Sequence, residues 1–365
     1  MGLTCGIVGL PNVGKSTTFN ALTKAGAKVE NYPFCTIEPN SGVVEVPDDR
    51  LARIASKITT KKIIPTTVEF IDIAGLVKGA NKGEGLGNKF LSHIRNVNVI
   101  IHVVRCFEDN DIAHVEGTID AIRDIETIHT ELILSDLDAV QRREHSIKKL
   151  AHSGDKDALR EEKLLLRLTE HLSNGNLALN SDLNEDEWKN LPEVSLITAK
   201  PILFCCNVNE DDVVDGNDEV RKVEDYAKAY NADVVWLCAE IEAEIAEIED
   251  DAERHEFLGS LGLKQSGLEI LSKKGYDLLG LQTYFTAGEK ETRAWTVEKG
   301  AKAPQAAGVI HSDFERGFIR AETYHFNDLM ELENEKNIRE HGRMRVEGKE
   351  YVVQDGDIMH FLFNV

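Results

Sequence analysis

Residues 9–16 carry the clearest chemistry in the chain. They read GLPNVGKS and match G-x-x-x-x-G-K-[ST], a loop whose backbone N–H groups cradle phosphates. An apolar strand over 3–8 precedes the loop and a helix over 16–24 follows it, so the amides face an anion from a helix start. We expect Lys15 to reach the β- and γ-phosphates and the Ser16 hydroxyl to ligate Mg²⁺. The predicted phosphate contacts are Asn12, Val13, Gly14, Lys15, Ser16 and Thr17.

A second motif indicates a nucleotide-dependent switch. Asp72 and Gly75 form D-x-x-G at the end of the next apolar strand. In P-loop switch proteins this aspartate holds Mg²⁺ through water, and the glycine N–H senses the γ-phosphate. Thr36, in the loop between the motifs, is predicted to close on the same metal, which gives Ser16, Thr36 and Asp72 as the metal set. The glycine-rich run 78–87 predicts a mobile second switch loop.

The base-recognition segment departs from that of guanine-binding proteins. Those proteins place N-K-x-D after a buried strand, whereas residues 207–210 read NVNE. The aspartate of N-K-x-D accepts two hydrogen bonds from guanine, and Glu210 and Val208 spoil that arrangement. Asn207 or a nearby carbonyl would accept from the 6-amino group of adenine, and Cys238 and Ala239 would fill the last base-contact loop. The sequence favours ATP, and relaxed specificity that still admits GTP is the alternative.

The position that orients water in switch GTPases is also changed. Those enzymes place Gln after D-x-x-G, but here the residue is Leu76, which cannot hydrogen-bond water. Hydrolysis is therefore expected to be slow or to use a group from elsewhere. His93, His102 and His114 are near in sequence, and His102 lies within an apolar strand. His114, in the polar segment 107–117, is the candidate catalytic residue; a solvated loop histidine is the alternative.

These residues need a scaffold that brings strand ends together. Apolar strands are predicted over 3–8, 67–73, 97–104, 202–206 and 233–238 with helices between them, which favours an α/β fold with a mostly parallel sheet. Segment 119–198 lacks strand signals and predicts an antiparallel helical pair or coiled coil, broken at Ser153-Gly154. Segment 241–263 predicts one acidic helix. After residue 280, short strands predict a separate α+β module.

Composition narrows the class of protein. The 365 residues carry a formal net charge of −22, which argues against a chain coated in nucleic acid. No targeting leader or bilayer-spanning apolar run is evident, so the expected location is the cytoplasm, without membrane or DNA partners. Six cysteines lack C-x-x-C spacing and are expected to be buried thiols, apart from Cys35, which lies in a polar loop.

The motifs together resemble one family across the whole chain. GLPNVGKST, NYPFCTIEPN, DIAGLVKGANKGEGLGNKFLSHIR, HVVRCFED, NVNE and the tail LQTYFTAGEKETRAWT…HSDFERGFIRAE…YVVQDGDIMHF resemble the Obg-like ATPases of the Obg group of P-loop switch proteins. The resemblance implies a discontinuous G domain over 1–118 and 199–280. It further implies a helical coiled-coil insert over 119–198 and a ubiquitin-like β-grasp TGS domain over 281–365. It also implies Mg²⁺ dependence, slow ATP hydrolysis, and a ribosomal partner, with the large subunit as a candidate, in translation or stress control. A cleft between the helical arm and the TGS domain is a candidate site for RNA, with Lys78, Lys82, Lys89 and Arg95 adding local positive charge.

The leading hypothesis is a slow ATPase that acts as a conformational switch on the ribosome. A GTP-binding switch of the usual Obg kind is the second hypothesis. The third is a ribosome- or RNA-binding module whose nucleotide site only stabilises the fold.

Overall fold

The structure is a computed structural model that describes residues 3–25, 40–73, 86–109, 114, 117–191 and 194–364; for 25 and 86–89 it describes the backbone alone. The chain folds into two compact units. The first consists of 1–42 and 69–271, and the second of 43–68 and 272–365.

One six-stranded sheet consists mainly of strands from the first unit. Its strand order is β2-β4-β1-β5-β6-β7, with β1 Thr4–Val8, β2 Ser41–Glu45, β4 Thr67–Asp72, β5 Val99–Arg105, β6 Ile202–Asn207 and β7 Asp233–Leu237. Strand β1 pairs in parallel with β4 and β5, and β5, β6 and β7 continue in parallel. Every residue of β1, β5 and β6 is buried. Continuous apolar runs suit strands that are covered on both faces, and the predicted mostly parallel α/β fold is confirmed.

This part of the chain also forms helices. They are α1 Lys15–Ala25, α3 Leu86–Asn96, α6 Glu185–Lys189, α7 Asp218–Lys228, α8 Ala239–Glu247, α9 Asp251–Ser260 and α10 Gly267–Leu278. The prediction of one helix over 241–263 is wrong, because the chain leaves helical geometry at 248–250. Asp250 adopts extended backbone angles there, and its carboxylate accepts from the Ala252 and Glu253 amides. This N-cap starts a second helix.

The predicted helical pair is present as α4 Ala121–His152 and α5 Lys156–Ser173. Asp120 and Asp155 cap the two starts, and the turn includes Gly154 with φ 91°. Leu164, Leu165 and Leu168 of α5 are buried. Across the described ranges, no helix is long and apolar enough to cross a membrane.

The second unit contains another six-stranded sheet, in the order β11-β10-β12-β8-β9-β3. Its strands are β3 Ile63–Ile64, β8 Leu281–Ala287, β9 Thr292–Glu298, β10 Phe318–His325, β11 Arg345–Glu347 and β12 Asp357–Phe363. Its helices are α2 Asp49–Lys57, α11 Ala303–Ile310, α12 Ser312–Arg316, α13 Phe326–Leu332 and α14 Glu335–Glu340. Leu51 and Ile54 of α2 pack in the same core as Phe285 and Tyr324.

Helix α2 and strand β3, both within segment 43–68, therefore pack with the C-terminal strands, a contribution that the local sequence does not indicate. Its β3 pairs in parallel with β9 through Ile63 and Thr292. The three-part division into G domain, helical insert and TGS domain remains a prediction.

Candidate nucleotide site

The P-loop connects β1 to α1 in the predicted strand–loop–helix arrangement. Asn12 and Gly14 both have positive φ, at 60° and 95°. A Cβ on Gly14 would overlap the Asn207 carboxamide, and one on Gly9 would lie 2.5 Å from the Val103 carbonyl oxygen. The two motif glycines are therefore required by close approach of neighbouring strands. At the start of α1, Ser16 and Thr17 are exposed, whereas Val13 is buried.

Lys15 is held inside this loop. Its Nζ donates to the Leu10 carbonyl oxygen at 2.6 Å, and the residue is only 7% exposed. Burial lowers the pKa of Lys15 to about 8, although the nearby Asp72 carboxylate acts in the opposite direction. The loop thus places the Lys15 ammonium beside backbone amides at a helix start. Both the ammonium and the amide dipoles favour binding of an anion.

Ser16 and Asp72, two of the predicted Mg²⁺ ligands, lie close together at the edge of the loop. The Ser16 hydroxyl lies 3.4 Å from Asp72 Oδ2. Within the described part of the chain, Asp72 Oδ1 is buried and has no hydrogen-bond partner. Burial raises the pKa of Asp72, while Lys15 and Ser16 oppose that shift. Mg²⁺ prefers oxygen ligands, and the Ser16 hydroxyl and the Asp72 carboxylate provide two of them close together.

Asn207 holds two loops of the site together. Its Nδ2 donates to the Val13 carbonyl oxygen at 3.1 Å, and its Oδ1 accepts from the Ala239 amide at 3.0 Å. The residue is 5% exposed. Because both ends of the carboxamide bind backbone, Asn207 positions the P-loop against the 238–239 loop. A direct contact with the base remains a prediction.

The other predicted base contacts differ in exposure. Val208 is buried and its amide donates to the Leu237 carbonyl oxygen. Glu210 is exposed and begins a short 3₁₀ helix over 210–212. Cys238 precedes α8 and is mostly buried, and burial raises the pKa of its thiol. Within the NVNE segment, the side chains of Asn209 and Glu210 are therefore the ones accessible to a ligand.

His114 is anchored to the helical pair. Its Nε2 lies 2.8 Å from Asp124 Oδ2 in the first turn of α4, and both side chains are about 5% exposed or less. The structure thus gives the imidazole a fixed carboxylate partner. Its catalytic role remains a prediction. Thr36, Gly75, Leu76 and Cys35 lie outside the described residues; the other five cysteines are buried.

Two further residues hold the backbone of residues 106–109, and sequence reasoning did not single them out. Arg105, at the end of β5, is 1% exposed and donates to the carbonyl oxygens of Phe107 and Asp109, both at 3.2 Å. Asn217 Nδ2 donates to the Cys106 carbonyl oxygen at 2.7 Å. The sequence does contain a signal for the role of Arg105, because this arginine directly follows an apolar strand. A guanidinium that is buried at such a position needs fixed hydrogen-bond acceptors.

Comparisons with known proteins agree with this geometry. Residues 4–159 match a family model described as 50S ribosome-binding GTPase, and 281–364 match the C-terminal model YchF-GTPase_C, described as a protein of unknown function. The chain is 56% identical to the "Ribosome-binding ATPase YchF" of Bacillus subtilis and 53% identical to that of Escherichia coli O157:H7, and each match covers all of both chains.

Solved structures give the same picture. The Schizosaccharomyces pombe YchF GTPase has a TM-score of 0.89 at 36% identity and covers 99% of this chain and 98% of its own. A GTP-binding protein from Pyrococcus horikoshii, at 19% identity and a TM-score of 0.62, shares the fold. The resemblance to the Obg-like ATPases is confirmed: a P-loop with its Ser16–Asp72 pair, in a chain matched from end to end by these relatives, belongs to the YchF family of nucleotide-binding proteins.

Proposed function

We propose that this protein is a Mg²⁺-dependent, slowly hydrolysing ATPase that acts on the ribosome in the cytoplasm. The observation that carries the nucleotide part is the pairing of Ser16 with Asp72 beside the Lys15 loop. Relatives over 50% identical that are named ribosome-binding ATPases support the partner and the reaction.

Different residues of the site would bind the phosphates and the metal. The amides after Gly14 and the Lys15 ammonium would bind the β- and γ-phosphates. Ser16 and Asp72 would hold Mg²⁺ with Thr36, and the metal would neutralise phosphate charge. Closure of Thr36 and of the segment from Gly75 would depend on the γ-phosphate, which makes the protein a switch.

Glu210 and Val208 support ATP as the nucleotide. The exposed Glu210 stands where guanine-binding proteins have a shorter Asp, and Val208 replaces a Lys but is buried. A GTPase is the second candidate, because the similar S. pombe protein is called a GTPase. The double substitution Val208→Lys and Glu210→Asp restores N-K-x-D. It should improve GTP binding relative to ATP, whereas Asn209→Ala should leave the ratio unchanged.

His114 is proposed to supply the group that Leu76 cannot. Asp124 would fix its orientation through the 2.8 Å contact. His114→Ala should reduce single-turnover ATP hydrolysis by about 10²-fold or more while ATP binding stays within threefold. His152→Ala, at the exposed end of α4, is the matched control. Equal turnover in both variants would exclude His114.

Ribosome association is tested by sedimentation with ribosomes in ATP, ADP and a non-hydrolysable ATP analogue. The proposal predicts more protein in the pellet with the analogue than with ADP, and less for Ser16→Ala. Equal pelleting in every nucleotide would favour the third hypothesis, a binding module with a structural nucleotide site.

A further inference from the structure

The C-terminal end of α3 is held by a partly buried lysine. Lys200 Nζ donates to the carbonyl oxygens of Ile94 and Arg95, at 2.9 and 2.7 Å, and also to that of Val97. The last carbonyl groups of a helix have no partner within the helix, and a cation at this end complements the helix dipole. Lys200 therefore ties the end of α3 to the segment that precedes β6.

Arg95, in the last turn of α3, connects the same helix end to α4. Its Nη2 donates to the Ser135 hydroxyl at 3.0 Å and to the Ser135 carbonyl oxygen at 3.3 Å, and its Nη1 donates to the Ser195 carbonyl oxygen. The guanidinium also lies 3.6 Å from Asp136 Oδ1. A guanidinium has several N–H donors in a fixed plane and can bind such a set of acceptors, whereas a lysine offers a single point charge.

These contacts differ from the RNA contact that the sequence suggests for Arg95. In the structure its guanidinium binds oxygen atoms of the protein, and an RNA contact remains a prediction. Of the other three cations predicted to add charge for RNA, Lys78 and Lys82 lie outside the described residues, and Lys89 is described by its backbone alone.

Asp136 of α4 completes the connection. It is fully buried, its Oδ1 accepts from the Ile197 amide at 3.0 Å, and its Oδ2 accepts from the Thr198 amide at 2.7 Å and the Thr198 hydroxyl at 2.8 Å. Burying charge costs free energy, and an apolar contact of similar size is often at least as stable, so stability is a weak reason for these charged groups. We call Arg95, Asp136 and Lys200 the α3–α4 clamp.

The helix that ends at the clamp begins directly after the second switch segment. Helix α3 starts at Leu86, and the D-x-x-G motif before it supplies Asp72, which lies beside Ser16. In P-loop switch proteins this segment is ordered by contacts to the γ-phosphate and Mg²⁺ and released on hydrolysis. Helix α3 has 11 residues and a length of about 16 Å. Because rigid helices and hydrogen-bond networks carry coupling between distant sites, a displacement of its first turn would reach the clamp.

We propose that the α3–α4 clamp transmits the nucleotide state of the second switch segment to the helical pair α4–α5, with Arg95 as the positioning residue. The inference rests on the nucleotide switch proposed above and names the path by which the change leaves the nucleotide site. The start of α4 is fixed separately, since the Ala121 amide donates to Glu219 at 3.0 Å. Asp136 lies about halfway along α4, which ends at His152. Helix shifts of about 1–2 Å are usual in such transitions, so a tilt about the start of α4 would displace His152 by roughly 2–4 Å.

The test measures the distance between two spin labels on the full-length protein by pulsed electron paramagnetic resonance. The labels are attached at His152→Cys, at the end of α4, and at Ala229→Cys, which follows α7; both positions are exposed. The background carries Cys35→Ser, because the other five cysteines are buried. Distances are compared in saturating Mg·ADP and in a saturating, non-hydrolysable ATP analogue with Mg²⁺, and calorimetry confirms saturation for each variant.

The test variants are Arg95→Met and Arg95→Lys. The matched control is Arg221→Met, because that arginine is exposed and pairs with Asp218 on the surface of α7. With the clamp intact, the analogue should change the mean label distance by roughly 2–4 Å relative to ADP. Arg221→Met should keep this change, and Arg95→Met should reduce it to less than half.

Arg95→Lys separates coupling from charge. It keeps a cation beside Asp136, so it carries the test even if Arg95→Met does not fold. A lysine cannot bind Ser135 and Ser195 together, so this variant should also lose more than half of the change in label distance. A merely structural role of Arg95 would instead lower the midpoint of thermal unfolding and leave the nucleotide-dependent change intact.

The outcomes distinguish this inference from the proposed function. A full change in label distance in Arg95→Met or Arg95→Lys would overturn the inference. Equal distances in ADP and in the analogue with the clamp intact would also overturn it, and continued ATP hydrolysis in that case would leave the proposed ATPase standing. If the protein binds neither nucleotide, the proposed function fails and the inference fails with it.

Discussion

Replacing Asn207 with Ala should loosen the nucleotide site from within. The substitution removes the donor to the Val13 carbonyl and the acceptor for the Ala239 amide, and it leaves both backbone groups unpaired. Each unsatisfied buried group costs about 1–3 kcal/mol. The free energy of unfolding of the first unit should therefore fall by about 2–6 kcal/mol. The midpoint in calorimetry should fall by at least about 4 °C.

Asn207→Asp separates the two contacts, because it keeps an acceptor for Ala239 but places an oxygen against the Val13 carbonyl. It should weaken ATP binding about as much as Asn207→Ala, by roughly tenfold or more, which corresponds to about 1.4 kcal/mol. Asn209→Ala is the control, since that exposed neighbour makes no side-chain cap bond. If Asn207→Ala matches Asn209→Ala in both stability and ATP affinity, the positioning role of Asn207 is refuted.

Two pH-dependent predictions follow from burial. Because the pKa of Lys15 lies at about 8 without nucleotide, ATP affinity measured by calorimetry should be level below that pH and fall above it, by up to about tenfold per pH unit. Lys15→Gln should show weak, pH-independent affinity, and a level wild-type profile up to pH 10 would contradict the argument. Burial also raises the pKa of Glu242, whose carboxylate accepts from the Gly267 amide at 2.6 Å, to about 7. The folded state holds this proton more tightly than the unfolded state, so stability is lost as pH rises from about 4.5 to 7, by up to about 3 kcal/mol. Urea unfolding at pH 5 and pH 8 should show this loss in wild type relative to Glu242→Gln, and parallel behaviour of the two proteins would exclude it.

Much of the first unit follows from local sequence. The P-loop, the strand before it and the break at Ser153-Gly154 are predicted because glycine geometry and apolar periodicity act over short spans. The N-cap at Asp250 was missed, since an acidic residue in an acidic helix gives little contrast. Helix α8 ends at Glu247, and the Asp250 carboxylate caps the start of the next helix by accepting from the amides that follow it.

Contacts between distant segments could not be predicted in the same way. Nothing local to residues 43–68 indicates that β3 pairs with β9, because a two-residue strand has no periodicity of its own. The placement of Asn207 between Val13 and Ala239 likewise depends on strand order in the sheet. The NVNE motif predicts that Asn207 contacts the base, whereas in the structure its side chain binds the backbone of two loops and positions them.

The proposed switch requires that this P-loop protein bind ATP in preference to GTP. Calorimetric titration of the wild-type protein with Mg·ATP and Mg·GTP under identical conditions tests it most directly. We expect a lower Kd for ATP, by about tenfold or more, because Val208 and Glu210 remove the hydrogen bonds that N-K-x-D gives to guanine. Tighter binding of GTP, or equal Kd values for the two nucleotides, would contradict it.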